Sequence, residues 1–193
     1  MNKKKVLIVV DAQNDFVTGS LANEEAQKVI PELADYLRFN CAHHYYDRIY
    51  FTRDSHTEDY LETPEGKHLP VQHCIVGTSG WCVVDDLLTA VRHNYTFKNP
   101  EATAVFVDKP TFGYIDWDRV FGQYKDDNFD NCITSITLVG FCTDICVVSN
   151  ALILKALYPN AEIKVLSSLC AGVTPEKHEA ALEVMRSCQI EVI

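Results

Sequence analysis

Three side chains in this sequence could together carry covalent chemistry at an acyl carbon: a thiol, an amine and a carboxylate, each placed just beyond an apolar run. The thiol is Cys146, in Gly140-Phe141-Cys142-Thr143-Asp144-Ile145-Cys146-Val147. A short polar turn ends an apolar run there, and a helical pattern begins at about the cysteine. A thiol at a helix start gains thiolate character from the dipole and from free backbone N–H groups. The same N–H groups could hold an oxyanion. Cysteine is equally at home in a core, so position alone leaves both roles open. Cys142 lies nearer the apolar run and suits a backbone role, and its spacing from Cys146 is not that of a redox Cys-x-x-Cys pair. A thiol nucleophile needs a base and a group that steadies its anion. Asp11 can take the proton, and the ammonium of Lys109 can steady the charges. Alone, Asp11 would be a turn residue and Lys109 a solvated amine. Buried together, each would need the other as counter-charge.

A second group sits at the end of another apolar run. Asp54-Ser55-His56 pairs a carboxylate with an imidazole, donors that suit zinc, manganese or iron. His73 comes 17 residues after His56 and is followed by Cys74. The polar loop between them contains Glu58, Asp59, Glu62, Glu65 and His68. An Asp-x-His pair by itself is equally a solvated loop. His43, His44, His93 and His178 have no motif around them and read as surface or helix residues. Zinc-finger chemistry is excluded because paired Cys-x2–4-Cys units are missing.

These residues need a frame. Short apolar runs alternate with longer stretches of helical period, the pattern of an α/β fold with a parallel sheet. Strands are predicted over residues 5–10, 48–52, 104–107, 136–139, 163–166 and 190–193. Helices are predicted over 23–39, near 84–93, from about 146 to 157, and after Thr174-Pro175, an N-cap followed by proline at the first helical position. The first strand has no polar interruption, as expected of one buried on both faces. Ala26, Val29, Ile30, Leu33 and Leu37 form one stripe of the first helix. Four strands run into ionisable or nucleophilic residues: Asp11, Asp54 with His56, Asp108 with Lys109, and Cys142 with Cys146. In open parallel sheets, ligands bind beyond the carboxyl ends of the strands.

The chain has 193 residues, a size that suits one domain. We expect residues 1–193 to form a single domain, since no repeat or Pro/Gly/Ser linker divides them. Hydrophobic residues make up 47% and charged residues 23%, which excludes a disordered or low-complexity chain. The net charge of -10 argues against nucleic acid and against anionic membranes as partners. The eight cysteines do not imply disulfides, because the chain is long for a disulfide scaffold and its N-terminal apolar run is too short for a signal peptide. No membrane span is expected, since Asp144, Asn150 and Lys155 interrupt the most apolar stretch. A reduced, cytoplasmic protein follows, with a small molecule as its partner.

At this point the motifs line up in order. Val10-Asp11-Ala12-Gln13-Asn14-Asp15-Phe16, Asp54-Ser55-His56, His73-Cys74-Ile75-Val76-Gly77-Thr78, Lys109-Pro110-Thr111-Phe112-Gly113 and Gly140 to Val147 together resemble the isochorismatase-like cysteine hydrolases, and within them the nicotinamidases. The resemblance spans residues 5–175. It implies a three-layer α/β/α fold with a six-stranded, mainly parallel sheet, and a catalytic triad on Asp11, Lys109 and Cys146. It also implies a non-proline cis peptide at Phe141–Cys142, with the backbone N–H groups of Cys142 and Cys146 forming the oxyanion hole. The metal ligands implied are Asp54, His56 and His73. A fourth ligand varies among members, and Glu65 is the choice here, with His68 or Glu62 second. Leu69-Pro70-Val71-Gln72 stands where a Trp-Pro-like signature would precede the second histidine, a departure that affects the pocket wall. Phe16, Leu69, Phe112 and Tyr114 are the candidates for the apolar walls. Relatives are often dimers or larger, so a homo-oligomer is expected.

The expected reaction is hydrolysis of nicotinamide through a thioester on Cys146, with zinc as the expected metal and manganese or iron as alternatives. The first rival is an amidohydrolase of the same superfamily acting on another small amide or an N-carbamoyl compound. Hydrolysis of a vinyl ether, as in isochorismate, is a second; that subgroup does not use the cysteine. A non-catalytic thiol redox or metal-binding protein is the rival from another class.

Overall fold

A parallel strand covered by helices on both sides must be apolar along its buried length, and β1 (Lys4–Val10) meets that requirement from Val6 to Val10, all buried, after the half-buried Lys4 and Lys5. In a computed structural model of the chain, which describes residues 3–92, 104–122 and 133–193, Val6, Ile8 and Val10 enter one core cluster and Leu7 and Val9 the other. The strand alternation of side chains thus sends neighbours to opposite layers. β2 (Arg48–Asp54), β3 (Val105–Lys109), β4 (Ile133–Phe141), β5 (Glu162–Ala171) and β6 (Glu191–Val192) complete a six-stranded sheet of order β3-β2-β1-β4-β5-β6. Every pairing is parallel.

Helices cover both faces. Glu24–Ala42 and Asp85–Arg92 pack on one core through Ala26, Ile30, Leu33, Leu37, Leu87 and Ala90. Trp117–Gly122, Val148–Leu157 and Pro175–Ser187 pack on the other through Trp117, Phe121, Ala151, Leu154, Leu182 and Met185. The three-layer α/β/α architecture expected from the sequence is therefore present. Asn23 caps the first long helix by accepting the N–H groups of Glu25 and Ala26, and Thr174 caps the last by accepting that of Lys177, as side-chain oxygens do for unpaired helix-start donors.

Several expected elements change length. β4 and β5 run well past the predicted four residues at each: the apolar run of β4 starts only after Ser135, whereas the strand begins at Ile133, and in β5 the pairing with β4 resumes at Cys170 beyond a register shift, past the polar Ser167 and Ser168. The short helices Asn14–Val17, Pro64–His68 and Trp117–Gly122 and the 3-10 turn Tyr60–Glu62 were not predicted; each is too short to show a helical period. The end of the predicted second helix at His93 and the cysteine Cys132 lie outside the described residues.

The chain crosses from β3 back over β1 to reach β4, so the strand order reverses between β1 and β4. Loops diverge there and leave a crevice. The register brings Val10 opposite Gly140 and Asp54 opposite Lys109. Gly140 has φ 113°, and a Cβ there would lie 2.2 Å from the carbonyl oxygen of Val10; only glycine fits this close approach.

Candidate active site

Asp11, Lys109 and Cys146 converge at that crevice. Asp11 ends β1 with φ 46°, a left-handed conformation that is uncommon for a residue with a Cβ and that Asp tolerates better than most. Thr52 on the neighbouring strand fixes it: the Asp11 N–H donates to Thr52 Oγ1 at 3.0 Å, and that hydroxyl donates to Asp11 Oδ1 at 2.6 Å. Asp11 Oδ2 lies 2.7 Å from Lys109 Nζ but accepts no well-directed hydrogen bond, which leaves a lone pair open. Lys109 Nζ in turn donates to Cys146 Sγ at 3.5 Å and to the carbonyl of Thr111 at 3.1 Å. Asp11 and Lys109 are 0% exposed and Cys146 is 5% exposed. The amine is therefore buried, not solvated.

Burial sets the electrostatics. It raises Asp11 above the usual carboxylate range even though the Lys109 charge pulls the other way. Burial would lower Lys109, but Asp11, Cys146 and Asp54 outweigh it and hold the ammonium well above its ordinary value. The Cys146 thiol is pushed far up by burial and then by Asp11. This corrects the expectation of a dipole-lowered thiol. Cys146 does not open an α-helix: it lies in a π-helical turn, Thr143–Val147, and the α-helix begins at Val148. Burial thus holds the Cys146 thiol toward its neutral form. The Phe141–Cys142 peptide is cis, and Cys142 caps the π turn.

Asp54, His56, Glu65 and His73 form one cluster whose donor atoms all lie within 4.8 Å of one another. His56 Nε2 and His73 Nε2 are 3.0 Å and 3.4 Å from Asp54 Oδ2, and 3.7 Å and 4.0 Å from Glu65 Oε1. Four ligands with bonds of about 2.0–2.1 Å around one ion stand roughly 3.3 Å apart, so the spacing fits a single metal. The charges fit as well. Asp11, Asp54 and Glu65 bring three carboxylates near one ammonium, Lys109, and a dication would offset the excess. His73 Nδ1 faces the carbonyl of Val71 at 2.9 Å, which keeps Nε2 for the cluster. Burial would raise Asp54, but hydrogen bonds from His56 and His73 and the Lys109 charge hold it below the usual carboxylate range. His68 and Glu62 are exposed and do not join; His68 Nδ1 instead meets the carbonyl of Pro64.

The two groups share a wall. Lys109 Nζ is 3.7 Å from Asp54 Oδ1, and Asp54, Glu65, His73 and Cys146 all line one cavity of about 700 Å³. Phe16, Leu69 and Phe112 line it too. Tyr114 does not: it packs in the core against Trp117, ring centroids 5.5 Å apart. Four residues that set this geometry had no role in the sequence expectations. Gln13 accepts the Asp54 N–H at 2.7 Å and donates to the Asp54 carbonyl at 2.9 Å. Asn150 donates to the carbonyls of Cys146 and Phe112 and accepts from Tyr114 N–H and Trp117 Nε1. Thr52 holds Asp11, and His178 hydrogen-bonds Thr143 Oγ1 at 2.8 Å. Only Gln13 had a signal, its place two residues after Asp11.

A family model described as "Isochorismatase domain" matches residues 5–193. The nicotinamidase/pyrazinamidase of Mycobacterium tuberculosis is 28% identical over 197 residues, covering 98% of each chain. The crystal structure of a nicotinamidase/pyrazinamidase from Bacillus subtilis superposes with a TM-score of 0.79 at 26% identity, covering 98% of both chains. That of a pyrazinamidase from Pyrococcus horikoshii in complex with zinc superposes with a TM-score of 0.71 at 25% identity, again covering 98% of both.

Proposed function

The chain belongs to the isochorismatase domain family, and from that membership we propose that it is a nicotinamidase, hydrolysing the linear amide of nicotinamide to nicotinate and ammonia. The observation that carries this is the contact chain from Asp11 through Lys109 to Cys146, at 2.7 Å and 3.5 Å, which ends at Cys146 in the wall of a cavity that Asp54, Glu65 and His73 also line.

In the proposed cycle Cys146 Sγ attacks the carboxamide carbon while Asp11 Oδ2 takes the thiol proton. Lys109 keeps the carboxylate and the incipient thiolate side by side in a buried site. The backbone N–H groups of Cys142 and Cys146 take the oxyanion, as donors aimed at developing charge do elsewhere. Collapse breaks the C–N bond, and Asp11 returns the proton so that ammonia leaves. Water then attacks the thioester with Asp11 as base, releasing nicotinate and restoring the thiol. Asp54, His56, Glu65 and His73 would hold a divalent metal, taken to be zinc by analogy with the Pyrococcus horikoshii pyrazinamidase. When bound, that ion supplies a Lewis acid able to anchor the ring nitrogen. Phe16, Leu69 and Phe112 supply the apolar walls for the ring.

Residues 1–193 are taken as one such hydrolase unit, cytoplasmic and homo-oligomeric, with a small amide as partner. No helix among the described residues is long and apolar enough to cross a membrane. The test is ammonia release from nicotinamide by the purified protein. Cys146→Ala is expected to abolish release while the circular dichroism spectrum stays unchanged; turnover retained by the folded variant refutes the thioester.

A further inference from the structure

Asp15 stands at the joint between the cavity wall and the Asp54 cluster. Its carboxylate accepts two backbone N–H groups from different parts of the site. Oδ2 takes that of Cys74 at 2.7 Å, and Oδ1 takes that of Ser20 at 3.1 Å. Cys74 directly follows His73, and its own carbonyl accepts the N–H of His56 at 3.0 Å. Cys74 also holds a left-handed φ of 48°, a conformation that a residue with a Cβ keeps only when its surroundings fix it. Ser20 and Leu21 line the cavity, and the carbonyl of Asp15 accepts the Leu21 N–H at 2.9 Å. Phe16, the next residue, sets its ring edge-on to His73 with centroids 5.7 Å apart.

The surroundings leave the carboxylate one place to be. A Cβ at Gly80 would fall 2.1 Å from Oδ2, and one at Gly19 would fall 2.3 Å from Oδ1. The Asp15 N–H donates to the Gly80 carbonyl at 3.1 Å. A carboxylate also suits the task chemically. Two donors need two acceptor oxygens, whereas an amide offers one acceptor and turns a second donor on the remaining N–H.

We propose that Asp15 is a positioning residue that couples the metal ligands to the cavity wall, so that metal affinity and substrate affinity are set together. This rests on the metal and substrate assigned above. Through Cys74 it fixes the peptide that follows His73 and, by way of the Cys74 carbonyl, the backbone N–H of His56. Through Ser20 and Leu21 it fixes the wall against which the ring lies.

The experiment compares wild type, Asp15→Asn and Gly80→Ala as full chains. Gly80→Ala displaces the carboxylate without removing it, and it decides the matter if Asp15→Asn does not fold. Zinc affinity of the metal-free protein is measured by competition with a chromophoric chelator, and KM and kcat for nicotinamide are measured in excess zinc. Loss of a group that orients metal ligands costs about 10–100-fold in metal affinity, and that loss is expected in both variants. KM is expected to rise severalfold with kcat changed less, because Asp11, Lys109 and Cys146 are untouched. A folded variant whose zinc affinity stays within twofold of wild type overturns the proposal, as does one that loses zinc affinity with KM unchanged. Wild-type protein that takes up no zinc overturns the metal assignment and this coupling with it. Wild-type protein that binds zinc but releases no ammonia from nicotinamide refutes the proposed substrate, while the zinc titration still decides the role of Asp15.

Discussion

Asp11 carries two demands that pull against each other. In the proposed cycle it must be ionised to accept the Cys146 proton, yet burial favours its neutral form. The ion pair with Lys109 resolves the conflict without removing it, since Asp11 remains above the usual carboxylate range. Its ionised form is therefore reached only at a pH higher than an ordinary Asp requires. With metal in excess, kcat/KM is expected to rise with pH along a limb above 3.8, the ordinary Asp value. That limb belongs to the Asp11, Lys109 and Cys146 unit as a whole. A profile flat down to pH 3.8 in stable protein would count against Asp11 as the base. Lys109 has the opposite sign. Its folded-state value is raised, so its contribution to stability is complete below 10.5 and is lost only as pH rises through the folded value. The ammonium persists across the whole neutral range.

At the scale of elements, one buried side chain ties the loop after β3 to the helix after β4. Asn150 is 0% exposed and makes four hydrogen bonds, two as donor and two as acceptor. Asn150→Ala leaves Tyr114 N–H, Trp117 Nε1 and two carbonyls without that partner. At roughly 1–3 kcal/mol per buried group left unsatisfied, a loss of about 3 kcal/mol or more is expected in urea unfolding. A change below about 1 kcal/mol would show that the loop is held by other contacts. The elements themselves were largely legible. Each strand bearing Asp11, Asp54, Lys109 or the Cys146 loop showed as an apolar run ending in a polar residue; in β1 and β4 burial on two faces demands it, while the edge strand β3 leaves Phe106 exposed. Asn150 was not legible, since an Asn in an apolar helix looks the same whether it bonds four groups or none. Tyr114 misled for a related reason. An aromatic beside a motif can face either the cavity or the core, and only Trp117 decides which. The π turn around Cys146 left no mark, because its five residues follow no period of their own.

At the scale of the molecule, the acidic surplus is distributed with a purpose at one point. Three of the carboxylates that make the net charge -10, Asp11, Asp54 and Glu65, act on Lys109 together, so a bound metal would stabilise the folded chain as well as the substrate complex. Removal of metal by a chelator is expected to lower the melting temperature, and zinc to restore it. Mass action sets the gain at about 2.7 kcal/mol when free metal is a hundredfold above Kd. A melting temperature indifferent to both treatments would argue that the cluster holds no ion. The reversal of strand order between β1 and β4 has a further consequence in time. Asp54, His56, Glu65 and His73 are all translated before residue 74, and Lys109 follows soon after. Cys146 comes later, and Val173, which lines the same cavity, later still. A chain growing from its N-terminus thus makes the four clustered side chains first and the thiol next, and supplies the last of the cavity wall only after the thiol is in place.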